Sequence, residues 1–184
     1  CYQAIGQFNE AVKCYEKALM IKPDDAEVYN NLGILFKELD QLDEAVNRYE
    51  KAIEINPDFT EAHYNLGNTF HKLGQSYAAI KSYEQSLLIK PGNVETHKIL
   101  GNLFKENGQL ELAVKHFEKA LIIKPDHIEV HNNLGVTLFE LGQLEVAVKH
   151  YETALAIKPD YPEGHNNLGN TLKELGQLNE AVNH

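Results

Sequence analysis

Residues 26–59 read AEVYNNLGILFKELDQLDEAVNRYEKAIEINPDF, and the same plan returns along the chain. Pro57 stands near the end of this stretch. Pro23, Pro91, Pro125 and Pro159 lie at steps of 34 residues from it, with only Pro162 out of series. Gly33, Gly67, Gly101, Gly135 and Gly169 keep that period, each after a leucine, as do Ala11, Ala45, Ala79, Ala113, Ala147 and Ala181. Tyr15, Tyr49, Tyr83, Phe117 and Tyr151 follow the alanines by four residues. A fixed period of this length decides the fold before any local feature does.

Each unit reads as two helices. Val28, Leu32, Leu35 and Leu39 recur at helical spacing beside Tyr29, Gly33 and Phe36, a broad apolar stripe on a first helix. A turn is expected at Asp40-Gln41 and at Gly74, Gly108, Gly142 and Gly176, where glycine precedes glutamine and supplies left-handed backbone. A second helix is expected over 42–55, with Leu42, Ala45, Val46, Tyr49, Ala52 and Ile53 inward. Asn56-Pro57 stops it, because proline disfavours helix in the residue before it. Small residues at Gly33, Ala45 and Ala52 are expected to let the two helix backbones approach. One such hairpin cannot bury both its faces, so neighbours stack into one continuous array.

Composition narrows the function. The 184 residues carry 17 Lys+Arg against 27 Asp+Glu, a formal net charge of −10, and Arg48 is the single arginine. Nucleic-acid binding and docking on an anionic membrane both need clustered cations and are disfavoured. No apolar run exceeds four residues, too short for a membrane span or a signal-peptide core. Cys1 and Cys14 form neither a disulfide framework nor a metal pattern. A soluble chain in a reducing, cytoplasmic setting is expected.

The sequence is identified on these registers as a member of the tetratricopeptide repeat (TPR) family. The resemblance covers nearly the whole chain, with Asp40, Ser76, Ser86 and Asn107 as minor departures. It implies an all-α, right-handed superhelical solenoid of antiparallel helix pairs, whose first helices line a concave groove. A single array over 1–184 is expected: a partial repeat at 1–25, complete repeats at 26–59, 60–93, 94–127 and 128–161, and a truncated one at 162–184. The chain is expected to start inside the end of a first helix (1–5) and to stop inside a second one. Leu178, Ala181 and Val182 would then lie open to homo-oligomerisation through the array ends. The Asn-Asn-Leu-Gly-Asn run at 166–170, with the related runs at 30–33, 65–68 and 132–135, resembles the TPR arms of O-GlcNAc transferase-like proteins and of bacterial TPR proteins.

No catalytic motif is present, and neither an enzyme activity nor a cofactor is expected. His63, His97, His131 and His165 share one repeat position, which reads as packing rather than a metal site, since helix axes about 8–10 Å apart keep single rings from converging on a metal. Glu27, Glu61, Glu95, Glu129 and Glu163 also share one. Asp24, Asp58, Asp126 and Asp160 precede four of them by three residues, a capping-box spacing, and an acidic rim for a basic ligand is compatible with that role.

The first helix carries a stripe at repeat positions 2, 6, 9 and 13, opposite the packed side. Position 6 holds Asn31, Asn65, Asn133 and Asn167; position 9 holds Asn68, Asn102 and Asn170. An amide both donates and accepts, so it pairs with a peptide backbone whatever the ligand's side chains are. Ile99, Val136 and Phe139 interrupt the ladder as candidate apolar anchors, and Tyr64 and Lys98 adjoin it. These twelve residues are the expected peptide-binding site. The clamp by which some TPR domains hold chaperone carboxylate tails is matched at Lys98, Asn102 and Asn133, but Glu163 and Asn167 stand where cations are needed. The expected role is a non-catalytic protein-interaction module for a peptide or partner helix. The alternatives are the substrate-recognition arm of a larger glycosyltransferase and a self-assembling scaffold.

Overall fold

The computed structural model describes the backbone of residues 2–182 and the side chains of residues 7–176. It is all-α, with no strand among the described residues. Helix α1 is Tyr2–Ile21. The hairpins are α2 (Ala26–Glu38) with α3 (Leu42–Ile55), α4 (Thr60–Lys72) with α5 (Ser76–Ile89), α6 (Val94–Glu106) with α7 (Leu110–Ile123), and α8 (Ile128–Glu140) with α9 (Leu144–Ile157). Helix α10 is Pro162–Val182. The chain divides into two compact units, residues 1–91 and 92–184. In the first, α1 packs on α2 and α3 on α4; in the second, α7 packs on α8 and α9 on α10.

The turn inside each hairpin is a Schellman closure. Asp40, Gly74, Gly108 and Gly142 have φ of 61°, 73°, 73° and 74°. The following glutamine amide then reaches back five residues, as from Gln109 to the Phe104 carbonyl at 2.8 Å. Asp40 takes the left-handed conformation without being glycine, which a short polar side chain tolerates. The turn expected at Gly176 is absent, the backbone being helical through it in α10, and the first helix expected to end over 1–5 instead runs on through Gly6 in α1. A Gly-Gln pair permits the turn and does not compel it. Cys1 and the side chains of Leu178, Ala181 and Val182 lie outside the described residues.

The repeat glycine acts against a ring, not against a backbone as expected. A Cβ on Gly33, Gly67, Gly101 or Gly135 would meet the ring of Tyr49, Tyr83, Phe117 or Tyr151 at 2.5 to 2.8 Å. Those four rings are almost completely buried, beside the equally buried Ala45, Ala79, Ala113 and Ala147. Alanine keeps the second helix close enough for the aromatic residue one turn on to lie flat on the glycine.

The helix caps also fall one residue later than the capping-box spacing suggested. Asp25, Asn93 and His127 are the N-caps of α2, α6 and α8, accepting from the amides of Val28, Thr96 and Val130. Phe59 caps α4 without a side-chain bond. The repeated glutamates are therefore second residues of their helices. They favour the macrodipole and close no reciprocal box with Asp24, Asp58 or Asp126.

Candidate functional site

The asparagine stripe is paired with itself. Asn65 Nδ2 donates to Asn30 Oδ1 at 3.0 Å, from α4 to α2, and Asn167 Nδ2 donates to Asn132 Oδ1 at 2.9 Å, from α10 to α8. Asn133 Nδ2 donates to Asn102 Oδ1 at 3.0 Å, from α8 to α6. The change of partner has a local cause. Position 5 of the preceding repeat is Asn30 or Asn132 in the first two cases. In the third it is Lys98, which has no acceptor, so the amide turns to position 9. Asn68 Oδ1 accepts from the buried Tyr83 hydroxyl at 2.8 Å. Phe117 stands in that aromatic position one repeat on and carries no hydroxyl, which leaves Asn102 for Asn133.

The remaining candidates divide between the units. In the first, Asn31 is half-buried on α2, and the Tyr64 ring meets Tyr83 edge-on with centroids 5.8 Å apart, near Asn65 and Asn68. In the second, Ile99 and Asn102 on α6 and Asn133, Val136 and Phe139 on α8 are half-buried, as is Asn167 on α10, whereas Asn170 is exposed. Phe139 sits at position 12 and borders the stripe. Lys98 is engaged: its Nζ lies 3.0 Å from Glu95 and 2.9 Å from Glu129, and its side chain is only 15% exposed. The two carboxylates hold its pKa above the ordinary lysine value against the opposing effect of burial. Asn30 and Asn132 were not among the expected site residues. The 35-residue offset that sets position 6 beside the preceding position 5 is the signal for them.

The histidines tie the hairpins together. The Nε2 atoms of His63, His131 and His165 lie 2.8 to 2.9 Å from the carbonyls of Pro57, Pro125 and Pro159. That contact places the ring proton on Nε2. His131 Nδ1 is then an acceptor for His150 Nδ1–H at 3.1 Å. His97 and His116 meet in the same way at 3.1 Å, and burial, with His97 beside it, pushes His116 down to about 4. No group of three or more His, Cys, Asp or Glu among the described residues could hold a metal ion. No helix among the described residues is long and apolar enough to cross a membrane.

These features define a class, the helical-repeat solenoid built from aromatic-on-glycine hairpins. The TPR repeat family model matches residues 2–40, 35–74, 101–142 and 137–176, and the tetratricopeptide repeat model matches residues 60–93. The chain belongs to the tetratricopeptide repeat family. No curated protein matches it. Among solved structures it is similar to YrrB, described as a TPR protein with an unusual peptide-binding site, at 22% identity and TM-score 0.80, over 90% of this chain and 85% of that one. It is also similar to a MamA protein at 24% identity and TM-score 0.76, over 85% of this chain and 86% of that one. The MamA of Desulfovibrio magneticus RS-1 gives 22% identity and TM-score 0.74, over 85% and 89%. At these identities the likeness is one of fold.

Proposed function

We propose that the chain is a non-catalytic protein-interaction module, and that the first-helix face of residues 92–184 takes an extended peptide segment. The carrying observation is the clamped amide pair beside half-buried aliphatic side chains. The bond between Asn133 and Asn102 uses one Nδ2 and one Oδ1. It leaves the Asn133 Oδ1 and the Asn102 Nδ2 in set orientations. One acceptor and one donor held still are what a peptide backbone pairs with, and their ordering cost is met before a ligand arrives. Ile99 and Val136 lie on the same stripe as apolar anchors. The peptide-binding site of YrrB, which shares this fold, supports the reading. Repeat packing through Asn30 and Asn132 accounts for the Asn-Asn-Leu-Gly runs that resemble glycosyltransferase arms.

Panning the chain against a displayed library of random peptides tests this. Selected peptides should lose binding to Val136→Asp while its helical circular dichroism is kept. They should keep binding to Ile122→Asp, altered at an exposed position on the second helix α7. No enriched peptide, or equal binding to both variants, sinks the assignment.

A further inference from the structure

On all three first helices of the second unit the stripe begins and ends in a carboxylate. It reads Glu95, Ile99, Asn102, Glu106 on α6; Glu129, Asn133, Val136, Glu140 on α8; and Glu163, Asn167, Asn170, Glu174 on α10. All six glutamates are exposed, and the residues between them on α6 and α8 are half-buried. Two carboxylate rows therefore flank a strip of amides and aliphatic side chains. The two acids of one helix are eleven residues apart, about 16 Å, so a chain lying along the strip has carboxylates about 8 Å to either side.

The second row is not explained by helix formation. Acids at the N-terminus suit the macrodipole, but Glu106 and Glu140 are the last residues of α6 and α8, where a negative charge is unfavourable. Lys105 neighbours Glu106 and offsets it; the last turn of α8 has no basic residue, and Phe139 stands in the lysine's place. The cations near the face are Lys98, Lys105, Lys158 and Lys173. Lys98 shows what the first row accepts, an ammonium held between Glu95 and Glu129. Beside it, Glu129 and Glu163 line a crevice of about 410 Å³ with Ile128, Lys158 and Tyr161, and Lys158 Nζ lies 5.7 Å from the centre of the Tyr161 ring. The six carboxylates thus outnumber these four lysines, of which Lys98 alone is seen bridging two of them, in a chain of net charge −10.

We infer that the occupant of this face is a cationic extended peptide segment, with Lys or Arg on both flanks of an aliphatic or aromatic anchor. The inference rests on the peptide-binding reading above and adds the chemistry of the partner. Opposite charge in two rows fixes the lateral register of the segment, speeds its encounter and rejects acidic competitors. The anchor fills the strip at Ile99 and Val136.

The experiment uses the full chain and fluorescent peptides of repeated Arg-Ala-Leu, Gln-Ala-Leu and Glu-Ala-Leu. The arginine peptide should bind best, and raising NaCl from about 0.05 to about 0.3 M should weaken it about tenfold. The triple variant Glu106→Gln, Glu140→Gln, Glu174→Gln leaves Lys98 with its partners, relieves the ends of α6 and α8 and alters an exposed position inside α10, so the fold is kept. It should bind the arginine peptide about tenfold more weakly. Glu118→Gln, Glu145→Gln and Glu152→Gln make the same charge change on second helices and should cost less than about twofold. Equal losses in the two triple variants mean attraction by net charge alone and overturn the inference, as does failure of the arginine peptide to bind. If the glutamine peptide binds as well as the arginine one and both are lost with Val136→Asp, the cationic partner is overturned while the peptide-binding reading stands.

Discussion

Tyr49 and Tyr83 occupy one repeat position, and both are fully buried against a glycine. They differ by a single atom's surroundings. The Tyr83 hydroxyl donates to Asn68 at 2.8 Å. In the preceding repeat Ile34 stands where Asn68 does, and the buried Tyr49 hydroxyl has no partner. Burial raises the pKa of both phenols, the outcome expected where an oxyanion would find no water. Phe117 fills the same position two repeats after Tyr49, so the ring alone fits. Tyr→Phe at either site therefore removes an oxygen and little else. At Tyr83 the change forfeits a hydrogen bond with a net contribution of about 0.5–1.5 kcal/mol. At Tyr49 it forfeits none and relieves an unsatisfied buried group, which costs about 1–3 kcal/mol. Tyr83→Phe should lower stability by about 1 kcal/mol and Tyr49→Phe should raise it by about 1 kcal/mol. The gap of about 2 kcal/mol is about 30-fold in the folding constant and about 4–8 °C in melting temperature for a chain of this size. Urea titrations of the whole chain, with hydrogen exchange of α3 and α5 amides to localise the effect, measure it. If Tyr49→Phe destabilises as much as Tyr83→Phe, the reasoning from hydroxyl satisfaction is refuted.

Three further outcomes are expected. His116 titrates near its ordinary 6.5 when unfolded and near 4 when folded, so the unfolded chain takes up the proton first as pH falls. Its contribution is intact above pH 6.5 and is lost as pH falls toward 4, by about 3 kcal/mol, and His116→Gln should flatten that part of a stability-against-pH curve. Gly101→Ala sets a Cβ 2.5 Å from the Phe117 ring and should cost about 1–3 kcal/mol. Gly169→Ala meets nothing within 4 Å and should raise the melting temperature through its gain of about 0.8–1 kcal/mol in helix propensity, a contrast that one calorimetric comparison checks. Asn167→Ala strips the buried Asn132 of its donor and should destabilise by about 1–3 kcal/mol, seen as faster exchange of α10 amides; a change below a few tenths would show that the inter-repeat amide bonds contribute little.

The helix pairs, their turns and the identity of the packed positions were legible in the residues because a 34-residue period aligns every constraint at once. Leucine spacing, the residue before Pro57 and the glycine before Gln75 are local matters, governed by backbone sterics and by the faces of single helices. The asparagine stripe was legible as a stripe. Its pairing was not, because an amide's partner depends on which residue the neighbouring repeat presents across the interface. Asn133 chooses Asn102 over position 98 only because lysine there has no acceptor. The same limit applied to the histidines, whose shared register was plain but whose ties to Pro57, Pro125 and Pro159 arise from the path of the loop around the helix start. It applied to the caps, where a shift of one residue moved the role from Asp24 to Asp25. It applied again at Gly176, where the same dipeptide that turns the chain at Gly142 continues a helix. Periodicity along the chain settles which faces are buried. The partner of each polar atom is settled by what stands opposite it, and that is known only once the helices are side by side.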